Sequence, residues 1–377
     1  MDKDKGLKRN GHKQRSKVII TAPSLNPNDN VSGISSVARF IIQNNKEKEY
    51  IHFEVGKRDA EHGTWKRLKR LVTTYQEWGK TLRKYPDALI HYNFPLSVPS
   101  IIRDSVLIRK AYKARRKIVV HIHGGLFLTA PRIPLLLNAI LKRIFKMDLP
   151  FIVLSDFEKK QLEERYAPKE VHVLPNCVDL EEAKSFSRHQ LPAEKPLTIG
   201  YIGRIEPQKG MTELLQACKG LKTINIPFLL KIAGKEEKEN DYLPHFREAL
   251  GDQFSYMGIV SGGEKENFLK SIDILAFPSY FEGLPISLLE CMSFEIVPIT
   301  TPVGSIPQVV KDGQNGLFIE VKDAACIIPA VKKLHENRTL LQQLGHNAQT
   351  TIFQNFKPQK YIEDLNNIYQ RLLLGNS

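Results

Sequence analysis

Four cysteines in 377 residues are too few to staple a fold. Cys177, Cys218, Cys291 and Cys326 stand far apart, with no C-x-x-C pair and no histidine at zinc-ligand spacing. That excludes a disulfide scaffold and a structural zinc site, and leaves buried, reduced thiols as the expectation. Long apolar runs are missing too. The most apolar stretch, 133–141, has nine residues, whereas a membrane-spanning helix needs about 20. No short repeat is visible. No G-x-G-x-x-G follows a strand, which removes an NAD-dependent dehydrogenase. The first 17 residues hold seven cations and no apolar h-region, which reads as a disordered basic tail over 1–16 rather than a signal peptide.

What is present is an ordinary soluble composition with an uneven charge. Hydrophobic residues make up 42% and charged residues 25%, and the net charge is +14. Residues 1–150 hold 30 Lys and Arg against 12 Asp and Glu, whereas 201–377 hold 18 against 20. The basic half can face nucleic acid, an anionic membrane or an acidic substrate, or can simply be a solvated surface.

Short Val/Ile-rich runs alternate with helical patterns along most of the chain. Strands are expected at 17–22, 50–55, 88–93, 117–123, 151–155 and 171–175, with helices at 64–84, 98–116, 132–147 and 156–165 between them. Near-continuous apolar strands suit parallel sheets covered on both faces. After residue 176 a stretch without apolar period intervenes, and the same alternation restarts at 196. The expectation is an α/β protein of two facing Rossmann-like domains, each a mostly parallel sheet with helices on both faces. The expected bounds are 17–190 and 191–355, with a C-terminal helix at 356–377 that can cross back to the first domain. A ligand cleft between the halves follows.

Two stretches carry chemistry. SYFEGLPISLLECMS (279–293) follows a strand and opens a helix, with Pro285 suited to the first turn. Free N–H groups near Gly283 and Leu284 would bind an anion. Glu282 and Glu290 would sit about 12 Å apart and grip the two ends of a nucleotide-diphosphate sugar. Two surface glutamates on a capped helix would look the same. GYIGRIEPQKG (200–210) places Gly203, Arg204 and Lys209 at a strand-to-helix junction, where the two cations suit a diphosphate or a solvated basic loop.

In chain order, TAPSLNPNDNVSGIS, HIHGG (121–125), VLPNCVD (173–179), GRIEPQKG, FEGLPISLLE and PVGSIPQVVKDGQNGLFIEVKD resemble the family 4 retaining glycosyltransferases, the group-1 glycosyl transferases with a GT-B fold. The resemblance implies that Arg204 and Lys209 neutralise a leaving diphosphate. It implies that Glu282 holds the donor sugar beside the Gly283 and Leu284 backbone, that Glu290 holds the ribose, and that Gly203 lies in the same donor site. His123 would lie across the cleft, and Gly33 in a loop closing over the phosphates. Two positions depart from the family pattern: Asn30-Val31-Ser32-Gly33 replaces a Gly-Gly pair, and Cys177 replaces a Gly after Asn176. His91 and His121 read as structural histidines.

The implied activity is metal-independent hexosyl transfer from a nucleotide-diphosphate sugar, UDP-sugar first and GDP-mannose second. The acceptor would be lipid-linked or a polysaccharide, as in cell-envelope, capsule or exopolysaccharide synthesis. No cofactor beyond the co-substrate and no nucleic acid are expected. Basic amphipathic segments, with Trp65, Leu68, Val72 and Tyr75 at helical spacing and Trp78 beyond, suit peripheral attachment to an anionic membrane, on the inner face of the plasma membrane. The rival arrangement packs both apolar stripes on the sheet. Alternatives are a nucleotide-sugar epimerase on the same fold and a nucleic-acid-binding protein, although no recognised nucleic-acid motif is present.

Overall fold

The computed structural model describes residues 15–374 apart from 27–31, 57–63, 131, 189–190 and 237–239. The tail expected to be disordered therefore lies almost wholly outside the described residues, as do Asn30 and Val31.

The first half runs β1 (Ser16–Ala22), α1 (Gly33–Asn44), β2 (Lys48–Glu54), α2 (Thr64–Lys84), β3 (Leu89–Phe94), α3 (Val98–Lys113), β4 (Ile118–Ile122), the one-turn α4 (Leu126–Thr129), α5 (Leu135–Phe145), β5 (Pro150–Val153), α6 (Asp156–Tyr166) and β6 (Glu170–Val173). After the short α7 (Glu181–Lys184), the second half runs β7 (Leu197–Ile202), α8 (Met211–Thr223), β8 (Phe228–Ala233), α9 (Tyr242–Leu250), β9 (Phe254–Tyr256), α10 (Gly262–Lys270), β10 (Ile274–Phe277), α11 (Ile286–Ser293), β11 (Val297–Thr300), α12 (Ile306–Val309), β12 (Leu317–Phe318), α13 (Ile327–Glu336), α14 (Arg338–Asn355) and α15 (Pro358–Leu374).

The strands form two six-stranded sheets, ordered β2-β1-β3-β4-β5-β6 and β12-β11-β10-β7-β8-β9, and each neighbouring pair is parallel. This is the GT-B arrangement. Every residue of β3, β4, β5, β10 and β11 is buried, which is why their sequences run apolar without alternation. α2, α3 and α5 cover one face of the first sheet through Trp78, Leu107, Ile108, Leu141 and Phe145. α1 and α15 cover the other. Helix α15 returns from the second half and buries Tyr361, Leu365 and Tyr369 against Val18, Ile20, Leu89 and Val119.

Two details differ from the sequence reading. Pro285 caps α11 in an extended conformation (φ −66°, ψ 126°) instead of opening its first turn. Trp78 is fully buried and donates its indole N–H to the Leu107 carbonyl at 3.0 Å. An indole with a satisfied donor inside a core is no membrane anchor. The side chains of Trp65 and Leu68 lie outside the described residues.

Cys177, Cys218 and Cys291 are buried and Cys326 is half-buried, all as free thiols. Cys177 keeps a negative φ, so the turn after Asn176 forms without a glycine there.

Candidate active site

A cavity of about 1150 Å³ lies between the two halves, at the carboxyl ends of the parallel strands. All nine residues singled out above line it: Gly33, His123, Gly203, Arg204, Lys209, Glu282, Gly283, Leu284 and Glu290.

The turn after β7 places the cations. A single 3₁₀ turn, Pro207–Lys209, ends at Gly210, whose φ of +74° a side chain would resist. A Cβ there would also stand 2.2 Å from the Pro278 carbonyl. Tyr280 N–H donates to the Gln208 carbonyl at 2.9 Å, so this turn is pinned to the 279–285 loop. Lys209 Nζ thereby comes 2.6 Å from Glu282 Oε1, with both groups largely buried. Arg204 stays half-exposed, 3.3 Å from Glu206. Glu290, one helical turn into the cavity wall, is paired with Lys265 Nζ of α10 at 2.6 Å. Nothing in the sequence around Lys265 announced it, because the partner lies 25 residues away on another helix.

The 282–284 loop is fastened to the first half of the chain. Asn176 Nδ2 donates to the Leu284 carbonyl at 2.7 Å. Gly124 (φ +67°) abuts Gly283 so closely that a Cβ on Gly124 would fall 2.5 Å from the Gly283 Cα. Behind them, Ser305 N–H donates to the Gly283 carbonyl at 3.1 Å, and its hydroxyl reaches Ser155 Oγ (2.8 Å) and Glu158 Oε1 (3.1 Å) on α6. Glu158 Oε2 accepts from Leu154 N–H at 2.9 Å. Burial without a cation pushes the Glu158 carboxyl up to about 7.

His123 faces the second half from the end of β4. Its Nε2 lies 2.6 Å from Asn93 Oδ1, and its ring lies against that of His121, centroids 4.1 Å apart and tilted by 33°. Burial, with His91 nearby, lowers the imidazole to about 3, so it is neutral at physiological pH. His121 Nδ1 lies 3.1 Å from His91 Nε2, and His91 Nδ1 lies 2.7 Å from the Tyr369 hydroxyl. Both rings are buried, and burial lowers their pKa, to about 4 for His91. Through Tyr369 they tie α15 to the strand ends beneath His123. Asn93 and Asn176 were not singled out as site residues in the sequence. An amide's role depends on the partner opposite it.

Among the described residues, no group of three or more His, Cys, Asp or Glu side chains is placed to hold a metal ion, and no helix is long and apolar enough to cross a membrane.

Two parallel Rossmann-like sheets with a charged cleft at their facing ends define the GT-B class. Glycosyltransferase Family 4 matches residues 42–182 and Glycosyl transferases group 1 matches residues 183–351. The chain belongs to the family 4 glycosyltransferases.

Among relatives, it is 28% identical over 180 residues to the capsular polysaccharide biosynthesis glycosyltransferase CapM of Staphylococcus aureus, covering 46% of each chain. It is 24% identical over 211 residues to the Escherichia coli UDP-Gal:alpha-D-GlcNAc-diphosphoundecaprenol alpha-1,3-galactosyltransferase, covering 54% of each. To the lipopolysaccharide 1,2-N-acetylglucosaminetransferase of Salmonella typhimurium it is 24% identical, over 72% of this chain and 73% of the relative. The matches thus span about half the length of the first two relatives. In fold it is similar to sucrose-phosphate synthase from Thermosynechococcus elongatus (TM-score 0.76, 16% identity, 96% of this chain and 100% of that one). It is likewise similar to Anabaena HepE in complex with UDP and glucose (TM-score 0.74, 16% identity, 94% and 99%).

Proposed function

We propose that the protein is a retaining hexosyltransferase that moves a sugar from a nucleotide-diphosphate sugar, UDP-linked first and GDP-mannose second, to a lipid-linked or polysaccharide acceptor of the cell envelope, capsule or exopolysaccharide. The observation that carries this reading is the single cleft in which Lys209, Arg204, Glu282 and Glu290 converge opposite a neutral His123. Cleavage of the donor builds negative charge on the leaving diphosphate. Lys209 and Arg204, with the N–H groups around Gly283 and Leu284, are already in place to receive it. The Lys209–Glu282 pair holds both side chains aimed into the cleft before the donor arrives. On binding, Lys209 turns its charge to the diphosphate and Glu282 takes sugar hydroxyls. Glu290, braced by Lys265, takes the ribose. These placed cations do the work a metal ion does elsewhere, so transfer proceeds without one. Closure of the two halves around the Gly124–Gly283 contact excludes water that would hydrolyse the donor.

UDP is favoured because HepE was solved with UDP and one relative is named for a UDP-galactose donor; that relative's diphosphoundecaprenol acceptor supports a lipid-linked acceptor here. The protein would work on the cytoplasmic side, at the inner face of the plasma membrane, with no nucleic-acid partner. A thermal-shift screen against UDP, GDP and ADP tests the donor. Stabilisation by UDP, weaker by GDP and absent with ADP is expected, and no response to any nucleotide would end the reading. The anomeric configuration of the product, read by NMR, tests retention.

A further inference from the structure

The chemistry described so far leaves three cations of the cleft unused. Arg39 of α1, Arg70 of α2 and Arg103 of α3 all line the cavity, on the wall that the first half supplies. Among the described residues, no Asp or Glu of the first half lines it beside them. Lys209 and Arg204, which would meet the donor's diphosphate, belong to the opposite wall.

The sheet explains why these arginines gather. β1 and β3 are neighbours, yet α1 and α3, which follow them, cover opposite faces. The crevice where helices part in this way is where open α/β sheets take ligands. Ala22 and Pro23 at the end of β1, and Asn93 and Pro95 at the end of β3, line this part of the cavity. Each arginine is anchored at a different point around it. Arg39 Nη2 donates to the Leu25 carbonyl, just past β1, at 2.6 Å. Arg70 Nη2 lies 2.8 Å from Glu54 Oε1, and Glu54 ends β2 opposite Ala22. Arg103 lies side-on to the buried Asp104, with Nε 2.5 Å from Oδ1 and Nη2 2.8 Å from Oδ2.

These bonds aim the guanidiniums without exhausting them, because each carries five N–H donors. Asp104 takes one edge of Arg103 and leaves Nη1 with no hydrogen-bond partner among the described residues. Arg39 is half-buried and has no carboxylate partner among the described residues. A cation drawn partly out of water without a counter-charge is completed by an anionic ligand. The start of α3 adds donors beside the arginines. Ser97 Oγ donates to Ser100 Oγ at 2.9 Å instead of capping the first-turn N–H groups, and both serines line the cavity.

We propose that Arg39, Arg70 and Arg103 form an anion subsite for the acceptor, and that the acceptor carries an oxyanion, phosphate or carboxylate, beside the sugar that is extended. This deepens the proposed function and rests on it. Guanidinium forks suit either group. β4, β3 and β1 are successive strands, so at about 4.8 Å per strand the end of β1 lies about 10 Å from that of β4, which carries His123. The anion therefore sits away from the reacting hydroxyl, on a neighbouring part of the acceptor. Held there, it fixes which hydroxyl reaches the donor sugar.

The test is calorimetric titration of the UDP-saturated full chain with inorganic pyrophosphate and, separately, with glucuronate. UDP fills the donor site, so the second ligand reports the opposite wall. At least one of the two should bind, one per chain, and more weakly in high salt. The tighter of them names the anion as phosphate or carboxylate. Arg39→Gln should weaken that binding roughly fivefold or more. Arg103→Lys should do the same; it keeps a cation beside Asp104, whereas Arg103→Ala would strand a buried carboxylate. UDP affinity and melting temperature should match wild type in both variants, which a merely structural role for these arginines would not allow. Binding of neither ligand, or binding that both variants leave as in wild type, would overturn the proposal. UDP affinity keeps the readings apart. UDP bound with no second anion ends the subsite alone. No UDP binding, with anion binding still lost in Arg39→Gln, ends the transferase reading and leaves the subsite standing.

Discussion

His123 Nε2 lies 2.6 Å from Asn93 Oδ1, and the direction of that bond is fixed from behind. Asn93 Nδ2 donates to the Thr21 carbonyl at 2.7 Å, which turns Oδ1 toward the ring. The ring nitrogen must therefore carry the proton, leaving Nδ1 as an acceptor.

Asn93→Asp sets a carboxylate beside an imidazole that burial holds at about 3, and so stabilises the charged ring. The pKa should rise toward neutrality. The variant should then lose transfer as pH falls through the raised value, while wild type shows no such limb between pH 5 and 8. Asn93→Ala should cost about tenfold with no new limb. PH–rate profiles of the three proteins check this, and identical profiles would remove Asn93 from the site.

Lys209→Ala and Glu282→Ala should each cut transfer by about 10²-fold or more, the scale of losing one preorganised contact to developing charge. Because their charges meet at 2.6 Å, the double variant should lose far less than the product of the two. Single-turnover rates on the four proteins of the cycle decide it, and near-normal turnover in both single variants would sink the assignment.

Lys265→Met should free Glu290 from its brace without touching the diphosphate site. Donor KM should rise roughly fivefold to tenfold with kcat little changed, the pattern of lost uniform binding. Calorimetric UDP affinity should fall in parallel; a fall in kcat alone would contradict this role.

Glu158 makes stability depend on pH. Its carboxyl is raised from 4.5 to about 7, so between those values the folded protein holds a proton that the unfolded chain has released. Stability should therefore fall as pH rises from about 4.5 to 7 and level off above, by up to about 3 kcal/mol. Glu158→Gln keeps the shape without the charge and should flatten that slope, leaving the variant the more stable protein at pH 8. Tm measured from pH 5 to 8 reads the difference, and parallel curves would count against it.

The fold was legible because its cause is local. A strand buried on both faces runs mostly apolar without alternation, as KIVV and ALI do before their polar cleft ends, and a helix between such strands must carry a 3.6-residue stripe. The loops after β7 and β10 were legible for a similar reason: the glycines, cations and carboxylates of each sit within a dozen residues. The same stripes misled at Trp78, since period names the residues that share a helix face but not which neighbour that face meets.

By itself the sequence determined two parallel α/β halves, the cleft they imply, and which short segments arm it. Tertiary structure alone decided the partners: Lys265 for Glu290, Asn93 for His123, and Glu158 for Ser305. Those contacts join residues 25 to 147 positions apart, and their cause is the packing of elements, which no local pattern encodes. The +14 charge is the clearest case. Composition assigned it to the first half of the chain, and only the tertiary structure divided it between the cleft wall, where Arg39, Arg70 and Arg103 stand, and the far ends of α2, α3 and α5.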